Sequence, residues 1–253
     1  MLDYSNMRLK KHLGQHLLVA RGVIEHIAQL IDPKEGEVLV EIGPGTGNLT
    51  MQVLKYPFKE LHLVEFDLLM VRMLQQEIKD PRVRIHWADA VEFDYCSLGD
   101  ELKVFGNLPY NRASLIVERS VFCHTCIREA VYMVQKEVGE KLQKGTSWLS
   151  TFLKTFYEVE YLMSLPARFF FPPPKVQSAL IRLKRRESLP NLDLKDYKLF
   201  LTKLYAERRK ALKNKLPEEL LLKAGVNPMA RVETLSPEEV FLLYNMLKKS
   251  EVK

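Results

Sequence analysis

The apolar positions of this chain follow two periods, and the switches between them mark out its elements. At residues 23–30 they recur at helical spacing, with Ile24, Ile27, Ala28 and Ile31 on one side, which predicts a helix. From residue 38 the pattern shortens to compact apolar runs. Residues 38–42, 61–65, 83–89, 104–107 and 130–134 each read as a buried strand, with helical patterns between them, including one over 113–128. Residues 156–163 and 178–183 read as a final antiparallel pair separated by a Pro-rich loop. Residues 188–191 read as a linker, and every later segment is helical in pattern, with breaks at Pro217, at 225–228 and at Ser236-Pro237. Strands alternating with helices, followed by helices alone, predict an α/β chain. A Rossmann-like sheet domain is expected over 1–187, opening with a basic arm at 1–20. A small all-helical C-terminal domain is expected over 188–253.

The polar residues that interrupt the apolar runs carry the chemistry. The first strand breaks into Gly43-Pro44-Gly45-Thr46-Gly47, the strand–loop–helix opening of a nucleotide-binding unit. Its spacing is G-x-G-x-G rather than the G-x-G-x-x-G of dinucleotide binders. Glu41 places a carboxylate at this loop, which repels a pyrophosphate and suits a cation. S-adenosylmethionine, with a sulfonium and an ammonium, is therefore favoured over NAD. Acids recur every 24 residues, at Glu41, Glu65 and Asp89, each at a strand end. Glu65 suits two ribose hydroxyls and Asp89 an adenine amino group. The fourth strand ends in Asn107-Leu108-Pro109-Tyr110. The Asn107 side-chain oxygen and the Leu108 carbonyl can each accept one N–H of an exocyclic amine, and the Tyr110 ring can stack on the base. Pro109 fixes the backbone between them. A strand-end acid can equally be a helix N-cap, and Asn-x-Pro-Tyr can be a plain Pro turn. Four such residues in register at the carboxyl ends of strands favour the ligand reading.

Together with Lys10-Lys11-His12-Leu13-Gly14-Gln15-His16-Leu17-Leu18, Phe170-Phe171-Pro172-Pro173-Pro174-Lys175-Val176 and Arg208-Arg209-Lys210-Ala211-Leu212-Lys213-Asn214, these motifs resemble the ribosomal RNA adenine N6,N6-dimethyltransferases. The likeness runs from about Arg8 to about Leu247. It implies S-adenosylmethionine as cofactor and two adjacent adenosines near the 3′ end of small-subunit rRNA as substrate, with a role in small-subunit biogenesis. Carried over by position, it implies cofactor contacts at His16, Leu18, Gly43, Glu65, Asp89 and Asn107. Target-base contacts fall on Asn107, Leu108, Tyr110 and Phe170, with Tyr110 and Phe170 sandwiching the ring. The chain departs from the family at His16, commonly Asn, and in a shorter segment at 141–150, where Trp148 falls near the family's Tyr-Gly.

Charge adds a polyanionic partner to this picture. The 253 residues carry a net charge of +6, and 12 Lys or Arg face four Asp or Glu between Arg182 and Lys215. On a helical wheel over 199–216, Leu201, Leu204, Tyr205, Leu212 and Leu216 form an apolar stripe, with Lys203, Lys210 and Lys213 opposite. Lys210 and Lys213, with Lys10 and Lys11 of the arm, are the candidate RNA contacts; a merely solvated face is the alternative. Arg208 lies in the stripe, suited to a buried ion pair with an acid of the first domain, with direct RNA contact as the alternative. No apolar run approaches the roughly 20 residues that span a bilayer, and no signal-peptide pattern opens the chain. The three cysteines suggest no disulfide framework. Cys123-x-x-Cys126 lacks a second such pair and Cys96 is distant, so the motif reads as structural and no metal site is expected. A cytoplasmic monomer acting on immature small subunits is the resulting expectation. A DNA or large-subunit rRNA adenine methyltransferase and a non-catalytic ribosome-assembly factor are the alternatives. The Arg208-Arg209-Lys210 motif argues against the first pair. The Asn107, Tyr110 and Phe170 set argues against the last.

Overall fold

The computed structural model describes residues 16–145 and 147–251. The strands are β1 (Leu17–Leu18), β2 (Val38–Ile42), β3 (Glu60–Glu65), β4 (Val83–Trp87), β5 (Leu102–Asn107), β6 (Ile127–Gln135), β7 (Tyr157–Leu165), β8 (Phe170–Phe171) and β9 (Ser178–Arg185). The α-helices are α1 (Arg21–Ile31), α2 (Asn48–Val53), α3 (Leu68–Glu77), α4 (Ala113–Phe122), α5 (Lys136–Lys144), α6 (Trp148–Phe156), α7 (Leu194–Tyr205), α8 (Glu218–Lys223) and α9 (Pro237–Glu251). Seven strands form one sheet in the order β4-β3-β2-β5-β6-β9-β7. β2 pairs in parallel with β3 and β5, β3 with β4, and β5 with β6, while β9 runs antiparallel to β6. The order reverses between β2 and β5, so a crevice opens there beyond the carboxyl ends of the strands. β1 and β8 form a separate two-stranded ribbon.

Local sequence accounts for much of this. On α1, Ile24, Ile27, Ala28 and Ile31 are all buried, as their spacing predicts. The central strands are mostly apolar, as strands buried on both faces of a parallel sheet are, with Glu41, His62 and Lys103 among the buried exceptions. Gly106 is required by packing. A Cβ there would come within 2.2 Å of the Ile42 carbonyl oxygen on β2.

By contact the chain divides into two units. One is Met1–Gly139 with Glu160–Arg185, and the other is Glu140–Val159 with Arg186–Lys253. Residues 140–159, expected in the sheet domain, thus group with the C-terminal helices. α6 is apolar and buries Leu149, Phe152, Leu153 and Phe156, and it packs on α7 and α9 within the second unit. Tyr197 is enclosed there by Phe152, Phe241 and Tyr244, and its hydroxyl bonds to Thr155.

Two further expectations change. The helix over 113–128 stops at Phe122, and 123–126 is a turn leading directly into β6. Cys126 is bonded to Cys96 as a disulfide, with Cys123 free. Cys96 and Cys126 are 30 positions apart in sequence, and the segment between them includes β5, whose first N–H donates to the Cys126 carbonyl (2.8 Å). This strand alignment brings together cysteines that look unrelated in sequence.

Candidate functional site

A cavity of about 300 Å³ lies at the carboxyl ends of β2–β5. Its wall includes His16, Gly43, Glu65, Asp89, Asn107, Leu108 and Tyr110. Seven residues expected from sequence therefore meet in one place.

Each is held by identifiable forces. The glycine turn after β2 runs through left-handed backbone, with φ of 61° at Gly43, where a side chain would be strained. At the end of β3, Glu65 is buried, and each of its carboxylate oxygens accepts a backbone N–H, from Gly45 (3.1 Å) and from Asp67 (2.8 Å). Burial raises the Glu65 carboxyl above its ordinary value, and the Asp67 and Gly45 N–H groups pull it back. Asp89 accepts the Val91 N–H at 2.9 Å and the Arg112 guanidinium at 2.5 Å. Arg112 and the exposed Phe66 also line the cavity. The sequence reading missed both, although an exposed apolar residue directly after a strand-end acid is a usable signal for Phe66. Nothing around Arg112 announces its partner.

The Asn107 side chain is oriented by the chain itself. Its Nδ2 donates to the His16 carbonyl at 2.6 Å, which leaves Oδ1 as a hydrogen-bond acceptor. His16 is in turn fixed by Nδ1, which donates to the Pro172 carbonyl at 2.8 Å, and by the Tyr110 ring, 5.2 Å from centroid to centroid. The Tyr110 hydroxyl shares a 2.5 Å hydrogen bond with buried Ser178. Burial pushes the Tyr110 phenol up, so it stays neutral. His16, on the wall as expected, thus also orients Asn107 through its carbonyl oxygen.

Several expectations fall elsewhere. Phe170 does not line the cavity. β8 pairs with β1 so that Phe170 lies opposite Leu18, and the alternation of the strand sends Phe170 into the core (3% exposed) and Phe171 outward. No sandwich of Tyr110 and Phe170 is formed. Leu18 is likewise buried, with its carbonyl accepting from Asn48 Nδ2 (2.8 Å), and Leu17 takes its place on the wall. Glu41 is fully enclosed, accepts the Thr50 hydroxyl at 2.6 Å and is pushed up to about 8 by burial, so it presents no carboxylate to a cationic ligand. Arg208 is exposed and pairs with Glu233 of its own unit (3.5 Å) rather than with an acid of the first. The helix carrying the predicted basic face ends at Tyr205. Lys210 lies on the turn beyond it and Lys213 on a single 3-10 turn at Leu212–Asn214, both exposed, with Lys210 2.9 Å from Glu207. Lys10 and Lys11 lie outside the described residues.

The donor set fits S-adenosylmethionine. It offers carboxylates at Glu65 and Asp89, an amide oxygen at Asn107 and apolar walls from Ile42, Val64 and Phe66. Its one arginine is already paired with Asp89. Hydroxyl and cationic groups find acceptors here, and a polyphosphate finds little positive charge.

Comparison with known proteins agrees with this geometry. Residues 6–249 match the family described as ribosomal RNA adenine dimethylase. The ribosomal RNA small subunit methyltransferase A of Persephonella marina is 41% identical over 249 residues, covering 95% of this chain and 94% of that protein. Its counterpart in Sulfurihydrogenibium sp. is 37% identical over 256 residues, covering 98% and 99%. Among solved structures, the 23S rRNA methyltransferase ErmE superposes with a TM-score of 0.73 at 26% identity, covering 92% of this chain and 99% of that one. A dimethyladenosine transferase from Plasmodium falciparum shares the fold, with a TM-score of 0.81 at 21% identity, covering 93% and 98%. A family match over nearly the whole length, on a chain whose strand ends gather carboxylates and an amide oxygen around one cavity, shows that this protein belongs to the S-adenosylmethionine-dependent ribosomal RNA adenine dimethylases.

Proposed function

We propose that this chain transfers methyl groups from S-adenosylmethionine to N6 of two adjacent adenosines near the 3′ end of small-subunit rRNA, dimethylating each. The observation that carries this reading is the Asn107 amide. Its nitrogen is committed to the His16 carbonyl, so its oxygen, beside the Leu108 carbonyl on a Pro109-fixed backbone, is an acceptor at a cavity mouth. The small-subunit assignment is supported by the names of the relatives at 41% and 37% identity. The likeness to ErmE, named for 23S rRNA, is the observation behind a large-subunit alternative.

Bound S-adenosylmethionine supplies an electrophilic methyl carbon. The chain supplies the rest. Glu65, held by two backbone N–H groups, accepts hydrogen bonds from the ribose hydroxyls, and Asp89 accepts from the cofactor's adenine amine. The target base leaves its stack and lies against Tyr110, whose ring is pinned at the hydroxyl by Ser178. Asn107 Oδ1 and the Leu108 carbonyl accept the two N6 hydrogens. This draws them from the ring plane and restores lone-pair density to a nitrogen otherwise conjugated with the ring. Positioning and electrostatics carry the reaction, without a strong general base.

The helical unit and its basic segment bind the rRNA, and Lys210 and Lys213 contact phosphates. The protein acts as a cytoplasmic monomer on incompletely assembled subunits. Among the described residues no helix is long and apolar enough to cross a membrane. The test is incubation with labelled S-adenosylmethionine and undermethylated small and large subunits side by side, followed by mapping of the modified nucleotide. Label on two neighbouring adenosines of the small-subunit rRNA is expected. Label confined to the large subunit would replace this reading with the alternative.

A further inference from the structure

A second cluster of reactive side chains lies away from the cavity, where β5 and β6 begin. The sulfur atoms of Cys96, Cys123 and Cys126 all lie within 4.8 Å of one another. The disulfide engages two of them, and Cys123 remains a buried thiol. The turn that closes α4 brings the second pair together, with the Cys126 N–H donating to the Cys123 carbonyl at 3.0 Å. Cys96 is exposed on a one-turn helix, Tyr95–Leu98, that is anchored by buried Tyr95, and it opens the cluster to solvent.

Arg119 is the second observation. It stands one helical turn before Cys123, and its carbonyl accepts the Cys123 N–H at 3.0 Å. One guanidinium nitrogen donates to the Phe93 carbonyl at 3.0 Å. Its Nε is buried and finds no acceptor among the described residues. Buried donors are normally satisfied, and an unsatisfied cationic N–H on the residue one helical turn before Cys123 is the kind of donor that serves as an outer-shell partner of a thiolate centre. With metal–sulfur bonds of about 2.3 Å, thiolates on a tetrahedral ion stand roughly 3.8 Å apart, a spacing this cluster reaches by separating the bonded pair.

We propose that Cys96, Cys123 and Cys126 form a redox-gated metal site, which holds one thiophilic d10 cation of the zinc class once the Cys96–Cys126 bond is reduced. A dithiol reductant gives two electrons and two protons and leaves as its own disulfide, while Cys96 and Cys126 become thiols. Binding of Zn²⁺ then releases three protons to solvent, with water as the fourth ligand. The centre carries a net charge of about −1. The metal and the disulfide exclude one another because both use the Cys96 and Cys126 sulfurs.

The experiment uses the full chain, reduced with a phosphine under argon and titrated with Co²⁺ and then Zn²⁺. One equivalent of cobalt with thiolate charge-transfer and tetrahedral d–d absorption is expected, bleached by zinc, while unreduced protein takes up none. Cys96→Ser and Cys123→Ser should each weaken cobalt binding by more than about 10-fold, with circular dichroism unchanged. Cys96 is exposed, so its variant decides the matter even where Cys123→Ser disturbs the fold. Reduced protein that takes up no cobalt, or absorption that survives Cys96→Ser unaltered, overturns the proposal.

Discussion

At Asn107 one hydrogen bond decides what the side chain can do. Donation from Nδ2 to the His16 carbonyl turns an ambiguous amide into a defined acceptor. Asn107→Ala removes it and should lower kcat for methyl transfer by roughly 10²–10³-fold, with circular dichroism unchanged; turnover near the parent's would strip the residue of this role. Glu41 is the opposite case, an acid at the right strand that the fold withdraws from the site. Burial pushes its folded pKa up to about 8, above the ordinary carboxylate value of 4.5. The folded state therefore holds a proton that the unfolded chain releases. The associated stability is present below about pH 4.5 and is lost as pH rises towards 8. Urea unfolding of the parent and of Glu41→Gln between pH 5 and 8.5 should show the balance shifting toward the variant as pH rises. A difference constant with pH would mean that Glu41 is not protonated in the folded protein.

Among the elements, the β2–β5 pair matters most, because the sheet order reverses there and Asn107 ends one of its strands. Gly106 lets the two backbones meet, and Gly106→Ala places a Cβ 2.2 Å from the Ile42 carbonyl oxygen. A loss of ~1–3 kcal/mol or more in urea denaturation is expected, accompanied by lost methyl transfer because the next residue is displaced. Unchanged stability would mean that the strands separate at no cost. Element boundaries were less legible than element types. The wheel over 199–216 placed its apolar residues correctly, since Leu201, Leu204, Tyr205, Leu212 and Leu216 are all buried, yet the helix stops at Tyr205. There Lys215 Nζ donates to the Leu204 and Ala206 carbonyls (2.7 and 2.6 Å), and Glu207 takes a left-handed φ of 53°. A side chain about ten positions downstream thus meets carbonyls at the helix end, which no local periodicity reports.

On the scale of the whole molecule, the candidate cavity and the exposed lysines belong to different compact units of one chain. Charge reversal at Lys210 and Lys213 should therefore weaken RNA binding while leaving cofactor binding intact. If both lysines contact phosphate, the dependence of log K on log salt should flatten by about one unit for each. A slope equal to the parent's would make this a solvated face, with Lys210 serving only Glu207.

Sequence alone determined the alternation of strands and helices, the glycine turn, and the acids and Asn107 that recur at strand ends, because these follow from local periodicity and from the common direction of parallel strands. Tertiary structure decided which of those groups face a ligand. It enclosed Glu41 and Phe170, turned the Asn107 amide through His16, paired Arg112 with Asp89 and gathered three separated cysteines. Burial and hydrogen-bond partnership are set by residues 9 to 91 positions away along the chain, and a distance of that kind is fixed only once the strands have paired.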